Sequence, residues 1–126
     1  MAKTKNVDMV RVGAINTLLR WESSKLPIDE CISRTLKRKS YSTRGRRFFA
    51  HLVYGTVRNL NLVDYILSKY LDYSLETLPR AIIYILRMAV FQFYFCDTVT
   101  IPAAVHTSVD LAHIFTHAGL ARMVNA

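Results

Sequence analysis

Residues 81–96 read AIIYILRMAVFQFYFC, sixteen positions interrupted by only two strongly polar side chains, Arg87 and Gln92. Length decides between two readings of this stretch. A membrane-spanning helix needs about 20 apolar residues, so these sixteen predict a helix buried in a protein core. Apolar on nearly every side from Pro79 to about Phe95, it is expected to be the central helix of the fold.

The segments on either side carry helical periodicity as well. Before it, Leu62, Val63, Ile66, Leu67 and Tyr70 recur at helical spacing in a fourth helix capped by Asn59 or Asn61, with Leu75 to Pro79 as linker. A third helix, to about Asn59, carries Phe48, Phe49, Leu52, Val53 and Val57, and follows the cap-forming Ser40-Tyr41-Ser42-Thr43. Gly55 lies inside it. A mid-helix glycine costs about 1 kcal/mol against alanine, so its presence predicts a close approach of two helices there.

Pro27 starts a second helix with the stripe Ile28, Ile32 and Leu36, beside Cys31 and Thr35. It ends in Lys37-Arg38-Lys39, cations at the favourable end of the helix dipole. The first helix spans about Asp8 to Glu22, with Asn6 as N-cap and Val10, Ala14, Leu18 and Trp21 on one face. Beyond the central helix, Asp97 to Thr100 separates it from a sixth. That helix runs from Pro102 to about His117 with Val105, Val109, Ala112 and Phe115 inward. Gly119 opens a last segment, Leu120 to Ala126. No stretch alternates with the period of a strand. The expected fold is all-α, a single compact bundle of six to seven helices with short loops.

Composition narrows the function classes. At 126 residues the chain holds one domain, and 52% hydrophobic content supports a real core. The net charge is +8, and it is unevenly spread: residues 1–58 hold 13 basic and 4 acidic side chains, residues 59–126 only 4 and 5. Such asymmetry implies a directed electrostatic surface. Two cysteines, Cys31 and Cys96, are too few for a disulfide framework and read as buried reduced thiols. The N-terminus lacks an apolar signal-peptide core, so a cytoplasmic protein without membrane association is expected.

The densest signal lies between Arg34 and Arg47. Arg34, Lys37, Arg38, Lys39, Arg44, Arg46 and Arg47 share this span with no acid, and Tyr41 stands among them. Clustered cations with an interleaved aromatic are the pattern of a phosphate-contacting surface with one ring available for an unpaired base. Lys3, Lys5, Arg11 and Arg20 extend this face if the first and third helices are neighbours, and Arg58 joins only if it points outward. Arg80 and Arg87, on the apolar helix, read as structural, with Asp110 or Asp97 as the expected partner of Arg87.

Three stretches resemble the NusB-like domain family. The first is Ala14-Ile15-Asn16-Thr17-Leu18-Leu19-Arg20-Trp21-Glu22. The second joins Arg44-Gly45-Arg46-Arg47-Phe48 to Leu52-Val53-Tyr54-Gly55-Thr56-Val57-Arg58-Asn59. The third runs from Leu78-Pro79-Arg80 through Leu86-Arg87 and Ile101-Pro102-Ala103-Ala104-Val105 to Val124-Asn125-Ala126. The family includes an RNA-binding bacterial antitermination factor and the N-terminal domain of Sun/Fmu-type rRNA cytosine-C5 methyltransferases. The Leu-Pro before the fifth helix and the Ile-Pro-Ala-Ala-Val start of the sixth are similar to the methyltransferase branch. Gly45 departs from that branch, which has an acid there, and the antitermination factor's Arg-rich first turn survives mainly as Arg11, with Lys3 and Lys5 upstream.

The resemblance implies an RNA-binding, rRNA-directed module in which Lys5, Arg11, Lys37, Arg38, Lys39, Tyr41, Arg44, Arg46 and Arg47 make the contacts. RNA, specifically small-subunit rRNA, is the expected partner. The apolar segment from Leu120 to Ala126 has no stop signal, so residues 1–126 are expected to be the N-terminal fragment of a longer chain carrying a methyltransferase domain.

The chain by itself is expected not to be an enzyme. Gly-rich phosphate loops and serine elbows are missing from the sequence, and S-adenosylmethionine would belong to a separate catalytic domain. His113 and His117 are four apart on one helix but have no clear third ligand, so no metal is expected. Two alternatives stand beside this reading. One is an antitermination factor binding leader RNA with a ribosomal protein partner. The other is a protein-interaction or dimerisation domain using the aromatics Phe91, Phe93, Tyr94 and Phe95.

Overall fold

The computed structural model describes residues 8–71 and 74–116. Six α-helices fill them: α1 Met9–Ser24, α2 Ile28–Arg38, α3 Thr43–Arg58, α4 Leu60–Tyr70, α5 Arg80–Phe95 and α6 Ile101–Phe115, with a 3-10 turn at Leu75–Thr77. Among the described residues there is no strand, and the all-α bundle is as expected from the periodicity. The segment beyond His117, read as a further helix, lies outside the described residues.

Sequence chemistry sets the boundaries. Ser42 accepts a hydrogen bond from the Gly45 N–H (3.0 Å) to cap α3, and Thr100 does the same for Ala103 (3.2 Å) to cap α6. Pro27 and Pro79, expected in the first turns, instead take the N-cap positions of α2 and α5, with φ −57° and −56° and extended ψ of 147° and 145°. The cap of α1 is Asp8, whose side chain accepts from the Arg11 N–H (3.1 Å). It replaces the expected Asn6, which lies outside the described residues. Asn59 joins α3 to α4 differently from expectation: its amide donates backward to the Gly55 carbonyl (2.8 Å) and makes no N-cap bond.

α5 is the hub. It packs against α1, α3, α4 and α6, while α2 lies across α1 and α3. Ile82, Ile83, Tyr84, Ile85, Met88, Ala89, Val90 and Phe91 are all buried on it, as a helix apolar all round demands. The closest approach is at Gly55. A Cβ there would clash with the Phe91 ring at its Cζ, so the missing side chain is what lets α3 lie against α5. α1 and α2 are pinned by the Thr17 and Thr35 hydroxyls, 2.8 Å apart and both buried. Cys31 and Cys96 are free and buried.

Two apolar stripes are rotated from their predicted positions. Leu62 and Tyr70 are exposed, leaving Val63 and Leu67 as the buried residues of α4. On α6 the buried positions are Ala104, Ser108, Leu111 and Ala112, so Val105 and Val109 only flank the core. Periodicity fixes which residues share a helix face, but the neighbours decide how that face is turned. Among the described residues no helix is long and apolar enough to cross a membrane.

Candidate nucleic-acid interface

The basic run from Arg34 to Arg47 folds into the end of α2, a four-residue turn and the start of α3. Lys37, Arg38, Lys39, Arg44, Arg46 and Arg47 are all exposed. Arg20, from α1, joins Arg34, Lys37 and Arg38 around one shallow depression. The neighbourhood of α1, α2 and α3 therefore adds Arg20 to the face, as the condition on helix packing required. Arg58 is exposed as well, with its guanidinium 5.1 Å from the Tyr54 ring centroid.

Few of these cations are used internally. Arg34 pairs with Glu30 (2.9 Å), and Arg46 donates to the Leu36 carbonyl (3.2 Å), tying the start of α3 to the end of α2. Among the described residues Lys37, Arg38, Lys39, Arg44 and Arg47 form no ion pair. Helix dipoles sharpen the contrast. Lys37 and Arg38 close α2, where positive charge is favourable, but Arg44 and Arg46 sit in the first turn of α3, which has no acid. Cations at the positive end of a helix do not help that helix. They reinforce its attraction for an external anion.

Packing removes one expected contact and partly engages another. Arg11 is only 7% exposed. Its guanidinium donates to the Gln92 side-chain oxygen through Nε (2.9 Å) and Nη2 (2.6 Å), pairs with Asp8 through Nη1, and lies 4.9 Å from the Phe48 ring centroid. Gln92 is itself fully buried and donates to the Met88 carbonyl (3.1 Å). Arg11 thus satisfies a polar group inside the α1–α5 contact and offers nothing to a phosphate. Tyr41 is half-buried against Phe49, ring centroids 5.7 Å apart, and its hydroxyl donates to the Met9 carbonyl (3.1 Å). Burial pushes its ionisation up, with the Asp8 charge adding to the effect. Its hydroxyl and ring are engaged at the α1–α3 contact while the side chain stays partly exposed. Lys5, the remaining expected contact, lies outside the described residues.

The other cations resolve as structural, though with a different partner. Arg87 grips Asp64 of α4 through Nε and Nη2, both 2.8 Å, where Asp110 or Asp97 had been expected. Asp110 instead faces His106 (3.4 Å). Arg80 pairs with Glu22, which also accepts from the Tyr84 hydroxyl (2.6 Å). The Arg80 hydrogen bond holds the Glu22 carboxyl below its ordinary value, and burial with the Glu22 bond pushes Tyr84 up to about 12. Among the described residues no group of His, Cys, Asp and Glu is arranged to hold a metal.

Sequence reasoning passed over Trp21 and Lys25 as functional candidates. Both border a hollow between α1 and α5. The available signal was a lysine directly after a helix, where glycine is the usual terminator.

The model of the NusB family matches residues 9–126. The chain is similar to the "Probable ribosomal RNA small subunit methyltransferase B" of Bacillus subtilis (strain 168), 28% identical across 92% of this chain and 26% of that relative. A protein of the same name from Synechocystis sp. is 34% identical across 77% of this chain and 22% of its own length. The transcription antitermination protein NusB of Exiguobacterium sp. is 31% identical across 91% of this chain and 88% of the relative. The chain spans about a quarter of the length of the methyltransferases it matches, and most of the length of the antitermination protein.

Proposed function

The chain belongs to the NusB family, and from that premise we propose that it is an RNA-binding module of the kind found at the head of rRNA methyltransferases. Its task is capture. The unpaired cations of α2 and α3 neutralise phosphates and release their counterions, which brings an rRNA segment to a catalytic domain elsewhere in a longer protein. S-adenosylmethionine would be bound by that other domain, and no catalytic step is assigned to these residues. The observation that carries the reading is the pairing pattern: the exposed cations around the start of α3 form no ion pair, whereas the inward-facing Arg11 and Arg87 each pair with a carboxylate.

Arg38, Lys39, Arg44, Arg46 and Arg47 are the proposed phosphate contacts, with Lys37, Arg20 and Arg34 alongside them. Replacing Arg44, Arg46 and Arg47 together with alanine tests this on a small-subunit rRNA fragment across a salt series. Loss of three phosphate contacts flattens the slope of log affinity against log salt by about 2, at roughly 0.7 per contact on single strands. Unchanged affinity and slope in the triple variant would refute the assignment.

A second reading has its own support. The antitermination protein NusB of Exiguobacterium sp. is matched over most of its length, in line with a factor acting on leader RNA with a ribosomal protein partner. An apolar groove of about 330 Å³ between α4, α5 and α6, bordered by the exposed Tyr70, Phe93 and Tyr94, offers a surface for protein contact. Retention of RNA affinity with loss of partner binding in a Phe93→Ser, Tyr94→Ser variant would favour this branch.

A further inference from the structure

A second site combines cations with an aromatic ring, away from the α2–α3 turn. Trp21 and Glu22 near the end of α1, and Lys25 at its C-cap, face Arg80, Tyr84 and Arg87 of α5 across an open hollow of about 400 Å³. That volume is within the range of small-ligand sites. The α5 side is a fixed polar wall. Glu22 Oε1 accepts from both Arg80 and Tyr84, and the Arg80 and Arg87 guanidinia lie 5.9 and 4.8 Å from the Tyr84 ring centroid. Arg87 is anchored in turn on Asp64.

Three features of the hollow are left without partners among the described residues. Glu22 Oε2 accepts no hydrogen bond. Trp21 is half-buried and contacts no other ring. Lys25 is exposed, forms no ion pair, and is the single non-glycine residue with positive φ (62°) among the described residues. A glycine would close α1 there without strain. Strain retained at the rim of a pocket is a pointer to function. Arg20, next to Trp21 in the chain, lines a separate depression with Arg34, Lys37 and Arg38.

We infer that this hollow holds one unpaired nucleobase of a single RNA strand. The base stacks on the Trp21 indole, its phosphate meets Lys25, and its exocyclic amino group donates to the free Glu22 oxygen. Stacking alone accepts every base. The carboxylate acceptor favours adenine, cytosine or guanine over uracil, whose one edge donor, N3–H, sits between two carbonyl oxygens that repel a carboxylate. This rests on the RNA-binding reading above, and it places the stacking aromatic at Trp21 where the sequence pointed to Tyr41.

The chain has one tryptophan, so its emission reports this pocket alone. Fluorescein-labelled oligo-C, oligo-A and oligo-U are titrated into the intact protein while anisotropy follows binding and tryptophan emission follows occupancy. Oligo-C and oligo-A should quench Trp21 over the same concentrations that raise anisotropy, with oligo-U several-fold weaker. Trp21→Leu should weaken binding by about ten-fold, within the range for losing a base stack. Lys25→Gly should raise the melting temperature yet lower affinity, and Glu22→Gln should erase the discrimination against oligo-U. Binding that saturates with unchanged tryptophan emission, together with wild-type affinity in Lys25→Gly, overturns the pocket and leaves the RNA-binding reading standing. No binding of any oligonucleotide at low salt overturns both.

Discussion

Arg11 and Arg44 both belong to the basic half of the chain, and they do opposite things. Arg11 lies in the contact between α1 and α5, where its guanidinium meets a buried amide, a carboxylate and a ring. Arg44 stands exposed in the first turn of α3 without an ion pair. The difference is one of surroundings. A cation drawn into a low-dielectric contact must find partners or cost several kcal/mol, so a satisfied guanidinium marks a structural joint. A cluster left unsatisfied in water, at a helix end that disfavours it, marks a surface kept for something outside the molecule.

The strongest test of the joint is Gly55→Ala. Alanine gains about 1 kcal/mol in helix propensity, but its Cβ would clash with the ring of the buried Phe91. Overpacking a tight core costs about 1–3 kcal/mol or more, and Phe91 is enclosed on α5. The net effect should be destabilising by about 2 kcal/mol, read as a lower midpoint of chemical denaturation. A stabilised variant would mean α3 and α5 are less closely apposed than the structure shows.

Next in size is Arg11→Met, which keeps the apolar stem and strips the donors from Gln92. Leaving a buried polar group unsatisfied costs about 1–3 kcal/mol. Stability should fall while RNA affinity, measured where the variant is folded, stays within about two-fold of wild type. A large affinity loss in a folded Arg11→Met protein would dissolve the distinction between the two regions. The Arg44, Arg46 and Arg47 triple alanine variant is the mirror image. Its stability should shift by no more than about 0.5 kcal/mol per site, although its salt dependence on RNA flattens.

The smallest effect concerns pH. The Arg80 hydrogen bond lowers the Glu22 pKa below 4.5, so its contribution is complete above about pH 4.5 and fades as pH falls through the lower folded value. The pair is partly exposed, which keeps the effect modest. Tyr84 runs the other way: its pKa, raised to about 12, gives a contribution complete below pH 10 and lost as pH climbs toward 12. Stability of Glu22→Gln against wild type, measured from pH 3 to 7, should converge at the acid end. A constant difference across that range would remove the ion pair from the α1–α5 joint.

Much of this molecule was legible in one dimension. The run AIIYILRMAVFQFYFC required a buried helix because its length is too short for a membrane and its polarity too low for a surface. Gly55 announced a close contact, and the cation-rich span from Arg34 to Arg47 does lie on the outside. The errors share one cause. Arg11, Tyr41 and Arg87 were assigned by type and spacing, yet their roles depend on Gln92, Met9 and Asp64, which lie 81, 32 and 23 positions away.

Local sequence therefore determined the helices, their caps and the charge of the N-terminal half, because these follow from period, turn chemistry and composition within a few residues. The tertiary structure decided how each helix is turned, which cations are spent on internal partners, and that Trp21, Lys25 and Arg80 border one hollow. Burial and pairing are properties of contacts between distant segments, and only the packed bundle brings those segments together.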